Sequence, residues 1–180
     1  LRPLLYLTLC EAYGVPEVMA PAVALEMVHT YSLIHDDHPC MDNDPIRRGM
    51  PTVHVRYDDA TALLAGDTLL TAAIERLALA PLPAGTVVAL IALLTRKIGL
   101  EGMAGGQGLD LQFRGDREQI FQIHRMKTAD LIEASLISAA WVAGRDEAHR
   151  KRLSEVALEV GIAFQLADDL LDVEGDEGLV

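Results

Sequence analysis

A chain of 180 residues that is 51% apolar can build one substantial core, and its length fits one domain. With 27 Asp and Glu against 15 Lys and Arg, the net charge of −12 disfavours nonspecific attraction to nucleic acid or anionic lipid, so any bound anion must be met by locally placed cations. Cys10 and Cys40 stand apart with no CxxC spacing, which suits reduced thiols of a cytoplasmic protein better than a disulfide framework. No apolar run has the length of a spanning helix, since the stretch from Val87 to Leu94 meets Arg96-Lys97 too soon, and no stable membrane association is expected.

Aromatic residues are only 4%, alanine and leucine are abundant, and β-branched residues never alternate, so an all-α fold is expected. Leu1-Arg2-Pro3-Leu4-Leu5 reads as the interior of a sequence already under way, and Asp176-Glu177-Gly178-Leu179-Val180 follows a charged cluster with no terminal element, so residues 1–180 are expected to be one domain truncated at both ends. A first helix ends at Gly14-Val15-Pro16. Pro21 opens a second, with Val23, Leu25, Met27, Val28 and Ile34 at helical spacings and an acidic cluster at its C-terminal end. Pro39 forces the chain out of regular helix, and the stretch from Asp42 to Pro51 is expected to be a loop. Core helices are expected from Asp59 to Leu79 and from Thr86 to about Met103. Gly102, Gly105, Gly106 and Gly108 then permit close backbone approach or a kink before Asp110-Leu111. A long helix is expected from about Arg117 to Val142, and a last one from about Glu147 to Asp172.

Two clusters of aspartates carry the chemistry. On a helix, Asp168 and Asp172 lie one turn apart with Asp169 beside them, so three carboxylates converge and call for a cation. Hard oxygen ligands with room for water suit Mg²⁺, which completes its octahedron with phosphate oxygens; a solvated acidic helix end explains one such motif equally well. In the first cluster, Asp36-Asp37 and Asp42 are spaced too widely for one helical face, and the break at Pro39 lets the loop bring Asp42 back. Arg47-Arg48-Gly49 follows at once, with guanidinium groups suited to bidentate phosphate contacts. A diphosphate held by metal and arginines beside apolar walls points to an apolar diphosphate ester. Catalysis would neutralise the leaving diphosphate while an apolar pocket keeps water from the carbocation.

The run from Glu26-Met27-Val28-His29-Thr30-Tyr31-Ser32-Leu33-Ile34-His35-Asp36-Asp37 through Asp42, Arg47-Arg48-Gly49 and Pro51-Thr52 resembles the bacterial farnesyl diphosphate synthases, within the polyprenyl diphosphate synthase family. Gly66-Asp67-Thr68-Leu69-Leu70, Gly106-Gln107-Gly108-Leu109-Asp110-Leu111, Lys127-Thr128 and Phe164-Gln165-Leu166-Ala167-Asp168-Asp169-Leu170-Leu171-Asp172 match in the same order, so the likeness covers nearly the whole chain. It implies the isoprenoid synthase fold, a helical bundle around a central cavity, and head-to-tail condensation of an allylic diphosphate (dimethylallyl or geranyl) with isopentenyl diphosphate. It also implies three Mg²⁺ ions and a homodimer. By the resemblance, Asp36, Asp37, Asp42, Asp168, Asp169 and Asp172 hold metal, while Arg47, Lys127 and Gln165 contact the allylic diphosphate. His29 and Arg48 hold isopentenyl diphosphate, Thr128 steadies the cation or departing phosphate, and Gln107 and Asp110 line the metal side. Asp36, Asp37, Asp42, Arg47, Lys127 and Asp168 are the expected catalytic set. The family's Gly-Lys-Arg ahead of Leu1 and the lysine after the second acidic cluster fall beyond this sequence.

The competing structural roles are specific: Lys127 could pair with Asp130 or Glu133, and Gln165 and Phe164 could be core packing. Cys40, Gly66, Asp67 and Trp141 are read as structural. In this family the positions four and five before the first aspartate, here Ser32 and Tyr31, limit product length, and an aromatic at Tyr31 favours farnesyl over geranylgeranyl diphosphate. A class I terpene cyclase is disfavoured by the intact Asp168-Asp169-x2-Asp172 and by Arg47-Arg48. A noncatalytic partner subunit is disfavoured by the presence of both acidic motifs.

Overall fold

The computed structural model describes residues 1–16, 18–115 and 117–174, with the side chains at 117, 118, 168, 169 and 171–174 outside that description. The order is α1 (Arg2–Ala12), α2 (Met19–Asp36), β1 (Ile46–Arg47), β2 (Met50–Pro51), α3 (Val53–Arg56), α4 (Asp59–Ala78), α5 (Ala84–Ile98), α6 (Met103–Leu111), α7 (Arg117–His124), a π-helical turn (Arg125–Ala129), α8 (Asp130–Val142) and α9 (Glu147–Glu174). Apart from one two-stranded hairpin, the described residues form helices, as the composition predicts.

Helix starts follow ordinary chemistry. Pro3 stands in the first turn of α1, where its missing N–H costs nothing. The Asp58 carboxylate accepts from the Thr61 N–H at 2.6 Å and opens α4, and Asp146 accepts from the His149 N–H at 2.8 Å to open α9. α8 is the centre of the bundle. Leu131, Ile132, Ala134, Ser135, Ile137, Ala139 and Ala140 are all buried, so this helix is covered on every side, by α1, α2, α5 and α9. Ser135 survives in that core because its hydroxyl donates to the Leu131 carbonyl at 2.9 Å. Tyr6, Cys10, Leu25, Val28, Leu90 and Leu94 complete the core. Neither cysteine is in a disulfide, and Trp141 packs at the core edge beneath the Arg150 guanidinium, 4.0 Å from its ring centroid. No helix among the described residues is long and apolar enough to cross a membrane.

The structure departs from the sequence reading at three places. The expected helix from Thr86 to Met103 stops at Ile98, and the glycine segment is itself helix α6. A Cβ at Gly102 would overlap the backbone of Lys97, and one at Gly105 the carbonyl of Leu100, so glycines let the chain turn back tightly. The stretch expected as loop from Asp42 to Pro51 closes into the β1–β2 hairpin. The long helix from Arg117 to Val142 is continuous but carries the π turn at Arg125–Ala129.

Candidate active site

α2 delivers the first acidic cluster. After Asp36 the chain leaves the helix, and the Asp42 N–H donates to the Asp36 carbonyl at 2.9 Å, so the loop returns across the helix end. Its turn is closed by the His38 carbonyl, which accepts from Met41 and Asn43. In the hairpin that follows, Ile46 faces Pro51 and Arg47 faces Met50. Arg48 (φ 53°) and Gly49 (φ 74°) form a two-residue turn with both residues left-handed. Glycine adopts that conformation freely; arginine does so at a steric cost of about 1 kcal/mol. The hairpin points Arg47 back at Asp37, which is 4% exposed: Nε and a terminal nitrogen donate to Oδ1 at 2.7 and 2.5 Å. Asp44 Oδ2 lies 3.6 Å from the same guanidinium.

A cavity of about 540 Å³ opens beside this loop. Its lining includes Arg47 and Arg48 from the hairpin, Lys127 from the π turn and Arg2 from the start of α1, together with His29, Asp36, Gln107, Thr128 and Gln165. Its walls include Tyr31, Ser32, Leu33, Met103, Leu111 and Phe164. The π turn contributes Lys127 and Thr128 side by side. The backbone nitrogen of Lys127 is so close to α6 that a Cβ on Gly106 would sit 2.7 Å from it. Lys127 Nζ donates to Asp110 Oδ2 at 2.7 Å, and the Thr128 hydroxyl donates to Gln165 Oε1 at 2.7 Å. Asp130 and Glu133, considered above as partners of Lys127, are instead held by Lys97 at 2.7 and 2.6 Å.

Electrostatics follow from burial and charge. Burial pushes the Asp36 carboxyl up to about 6; Lys127 and Arg47 oppose the shift, and Asp42 and Asp37 add to it. Burial, then the cations Arg2 and Arg48, hold His29 down to about 4, so it is neutral at pH 7. Gln107 Oε1 is buried without a hydrogen-bond partner. Among the described residues no three His, Cys, Asp or Glu side chains close into a metal cage. The hard carboxylate oxygens of Asp36 and Asp37 beside Arg47 and Lys127 fit Mg²⁺, which takes one or two carboxylates and completes its shell with water and phosphate oxygens.

Of the residues singled out in the sequence, the cavity brings together His29, Tyr31, Ser32, Asp36, Arg47, Arg48, Lys127, Thr128 and Gln165. Asp37 sits behind Arg47, and Asp42 is exposed at the loop. Asp110 acts on the cavity through Lys127. Asp168, Asp169 and Asp172 fall on α9, their side chains outside the described residues. Sequence reading missed Arg2, whose Nε is buried without a partner and whose guanidinium burial pulls toward the neutral form. The signal was an arginine set between leucine and a helix-opening proline, a place where an apolar residue would serve packing better.

A mostly helical bundle with a cavity that is lined by arginines, a lysine and an aspartate as well as by apolar side chains is the class that the fold and site define. The polyprenyl synthetase family model matches residues 1–179, and the chain belongs to that family. It is 44% identical to the farnesyl diphosphate synthase of Micrococcus luteus, over 97% of this chain and 62% of that protein. Identity to the geranylgeranyl diphosphate synthase of Cyanophora paradoxa is 43%, over 98% of this chain and 62% of the relative. The solved geranyltransferase of Helicobacter pylori complexed with magnesium and isoprenyl diphosphate superposes with a TM-score of 0.90 at 41% identity, covering 98% of this chain and 62% of that one. The chain thus spans about three fifths of the length of these relatives.

Proposed function

We propose that the protein is a farnesyl diphosphate synthase, a prenyltransferase that joins dimethylallyl or geranyl diphosphate head-to-tail to isopentenyl diphosphate. The observation that carries this reading is one cavity lined both by the cations Arg2, Arg47, Arg48 and Lys127 with Asp36 and by the apolar side chains Leu33, Met103, Leu111 and Phe164. A diphosphate bound at the mouth meets Arg47 and Lys127, each already oriented by a carboxylate, Asp37 and Asp110. A second diphosphate is served by His29, Arg48 and Arg2, which lie near enough to one another that both arginines act on the imidazole. His29, neutral and half-buried, donates a hydrogen bond there without adding charge.

Asp36, Asp37 and Asp42, with Asp168, Asp169 and Asp172 on α9, would hold the magnesium ions, about three by analogy with the family. Magnesium in that place supplies charge neutralisation to the leaving diphosphate. The residues of this chain do the rest. Leu33 and Met103 keep water from the allylic cation, and the Thr128 hydroxyl, fixed on Gln165, offers its oxygen dipole beside it. The proton lost after condensation goes to the released diphosphate, so no side-chain base is needed. Tyr31, 9% exposed and lining the cavity, limits its depth in favour of the fifteen-carbon product. Homodimer formation and a cytoplasmic location belong to the same reading.

The test is product analysis. Full-length protein given dimethylallyl and isopentenyl diphosphates with Mg²⁺ should yield mainly a fifteen-carbon diphosphate. A predominantly twenty-carbon product would make it a geranylgeranyl diphosphate synthase instead.

A further inference from the structure

Tyr31 and His35 are one helical turn apart on α2 and both line the cavity. Their rings meet edge to face, with centroids 5.7 Å apart and planes at 77°. The imidazole is itself held from the far side by α4. Its Nε2 lies 3.1 Å from the Leu63 carbonyl, which can only accept, so Nε2 carries the proton and donates. Asp67 Oδ1 stands 3.9 Å from the same nitrogen. Between those two contacts on α4 lies Gly66, and a Cβ there would overlap the imidazole ring. The missing side chain of Gly66 is thus the seat of His35, and His35 is the surface against which Tyr31 rests.

We propose that His35 is a positioning residue for product length: seated on Gly66, it holds the Tyr31 ring across the cavity and so limits how far the growing prenyl chain extends. This rests on the prenyltransferase reading above. A buried tyrosine ring that borders a cavity can turn into whatever volume is vacated beside it. With His35 in place, that volume is filled and the ring stays across the cavity. Without it, the ring swings toward α4 and the cavity deepens. Tyr31 supplies the barrier, and His35 fixes where the barrier stands.

The test reads the ratio of twenty- to fifteen-carbon products made by full-length protein from dimethylallyl and isopentenyl diphosphates with Mg²⁺. That ratio does not depend on how much of a variant folds. His35→Ala should raise it about fivefold, the order that losing one edge-to-face ring contact can bias. Tyr31→Ala should raise it further, and adding His35→Ala to Tyr31→Ala should change nothing more, because the residue acts through the ring already removed. Gly66→Ala, which unseats the imidazole from the other side, should also move the ratio. A wild-type ratio in both His35→Ala and Gly66→Ala overturns the inference, as does a His35→Ala effect that persists undiminished in the Tyr31→Ala background. Wild-type protein that incorporates no isopentenyl diphosphate overturns the proposed function and this inference together, whereas normal wild-type turnover with those unchanged ratios overturns this inference alone.

Discussion

Lys97 and Lys127 make the same bond, an ammonium 2.7 Å from an aspartate oxygen, and use it for opposite ends. Lys97 reaches from α5 to α8, where Asp130 is 5% exposed at its side chain and Glu133 is fixed further by the Ser154 hydroxyl at 2.7 Å. Burial pushes the Asp130 carboxyl up even with that ammonium beside it, while for Lys97 burial is outweighed by its two carboxylates and the amine ends above its usual range. The two shifts point in different directions for stability, and the geometry decides between them: a close, doubly bonded, mostly buried pair is costly to break whatever its net worth. Lys127, by contrast, is paired with a half-exposed Asp110 at a cavity wall, where an incoming anion can share it. Lys97 and Asp130 also border a pocket of about 400 Å³, but there the lysine is held by two carboxylates, whereas Lys127 has a single half-exposed partner and is the one the proposed function uses for binding.

The contrast breaks most sharply at Lys127. Lys127→Ala should lower kcat/KM for isopentenyl incorporation by about 10²–10³, the scale for losing one preorganised charge on a leaving group, with little change in urea midpoint. Lys97→Met should do the reverse. It should cost about 2–3 kcal/mol in urea denaturation, the low side for uncovering a buried carboxylate because the site is partly exposed, while folded protein keeps its KM.

Acid sharpens the difference from the cavity side. His29 is held down to about 4 in the folded protein against about 6.5 unfolded. Its contribution to stability is therefore complete above pH 6.5 and lost as pH falls toward 4, by about 1 kcal/mol at pH 5 after allowance for solvent screening. His29→Gln should flatten that part of the Tm profile. Ser154→Ala should cost least, about 0.5–1 kcal/mol, since Glu133 retains Lys97. Equal losses of stability from Lys97→Met and Lys127→Ala would erase the distinction.

The helices were legible because Val23, Met27 and Ile34, or the alanines and leucines from Asp59 to Leu79, repeat at a helical period and meet proline or glycine at their ends. The hairpin was not, because strands of two residues are too short to show any period. Its turn also places an arginine where asparagine or glycine is the usual signal. The π turn was hidden as well, since Met126 and Lys127 suit an α-helix and the widened register is set by α6 packing against them. Most cavity residues were visible as matched motifs. Which carboxylate each lysine takes was not, because Lys97 and Asp130 are distant in sequence and only the packing of α5 on α8 joins them. Arg2 was overlooked for a similar reason: its burial depends on α1 packing against α2, which brings Glu26 near it.

The left-handed turn at Arg48-Gly49 has a consequence for anyone engineering this protein. A stability screen would favour Arg48→Asn, which relaxes the turn by up to about 1 kcal/mol and would rank among the improved variants. The same exchange takes a guanidinium off the cavity wall. On the proposed function, selection for robustness alone would thus erode turnover at this position, because the imperfect turn carries a guanidinium meant for a diphosphate.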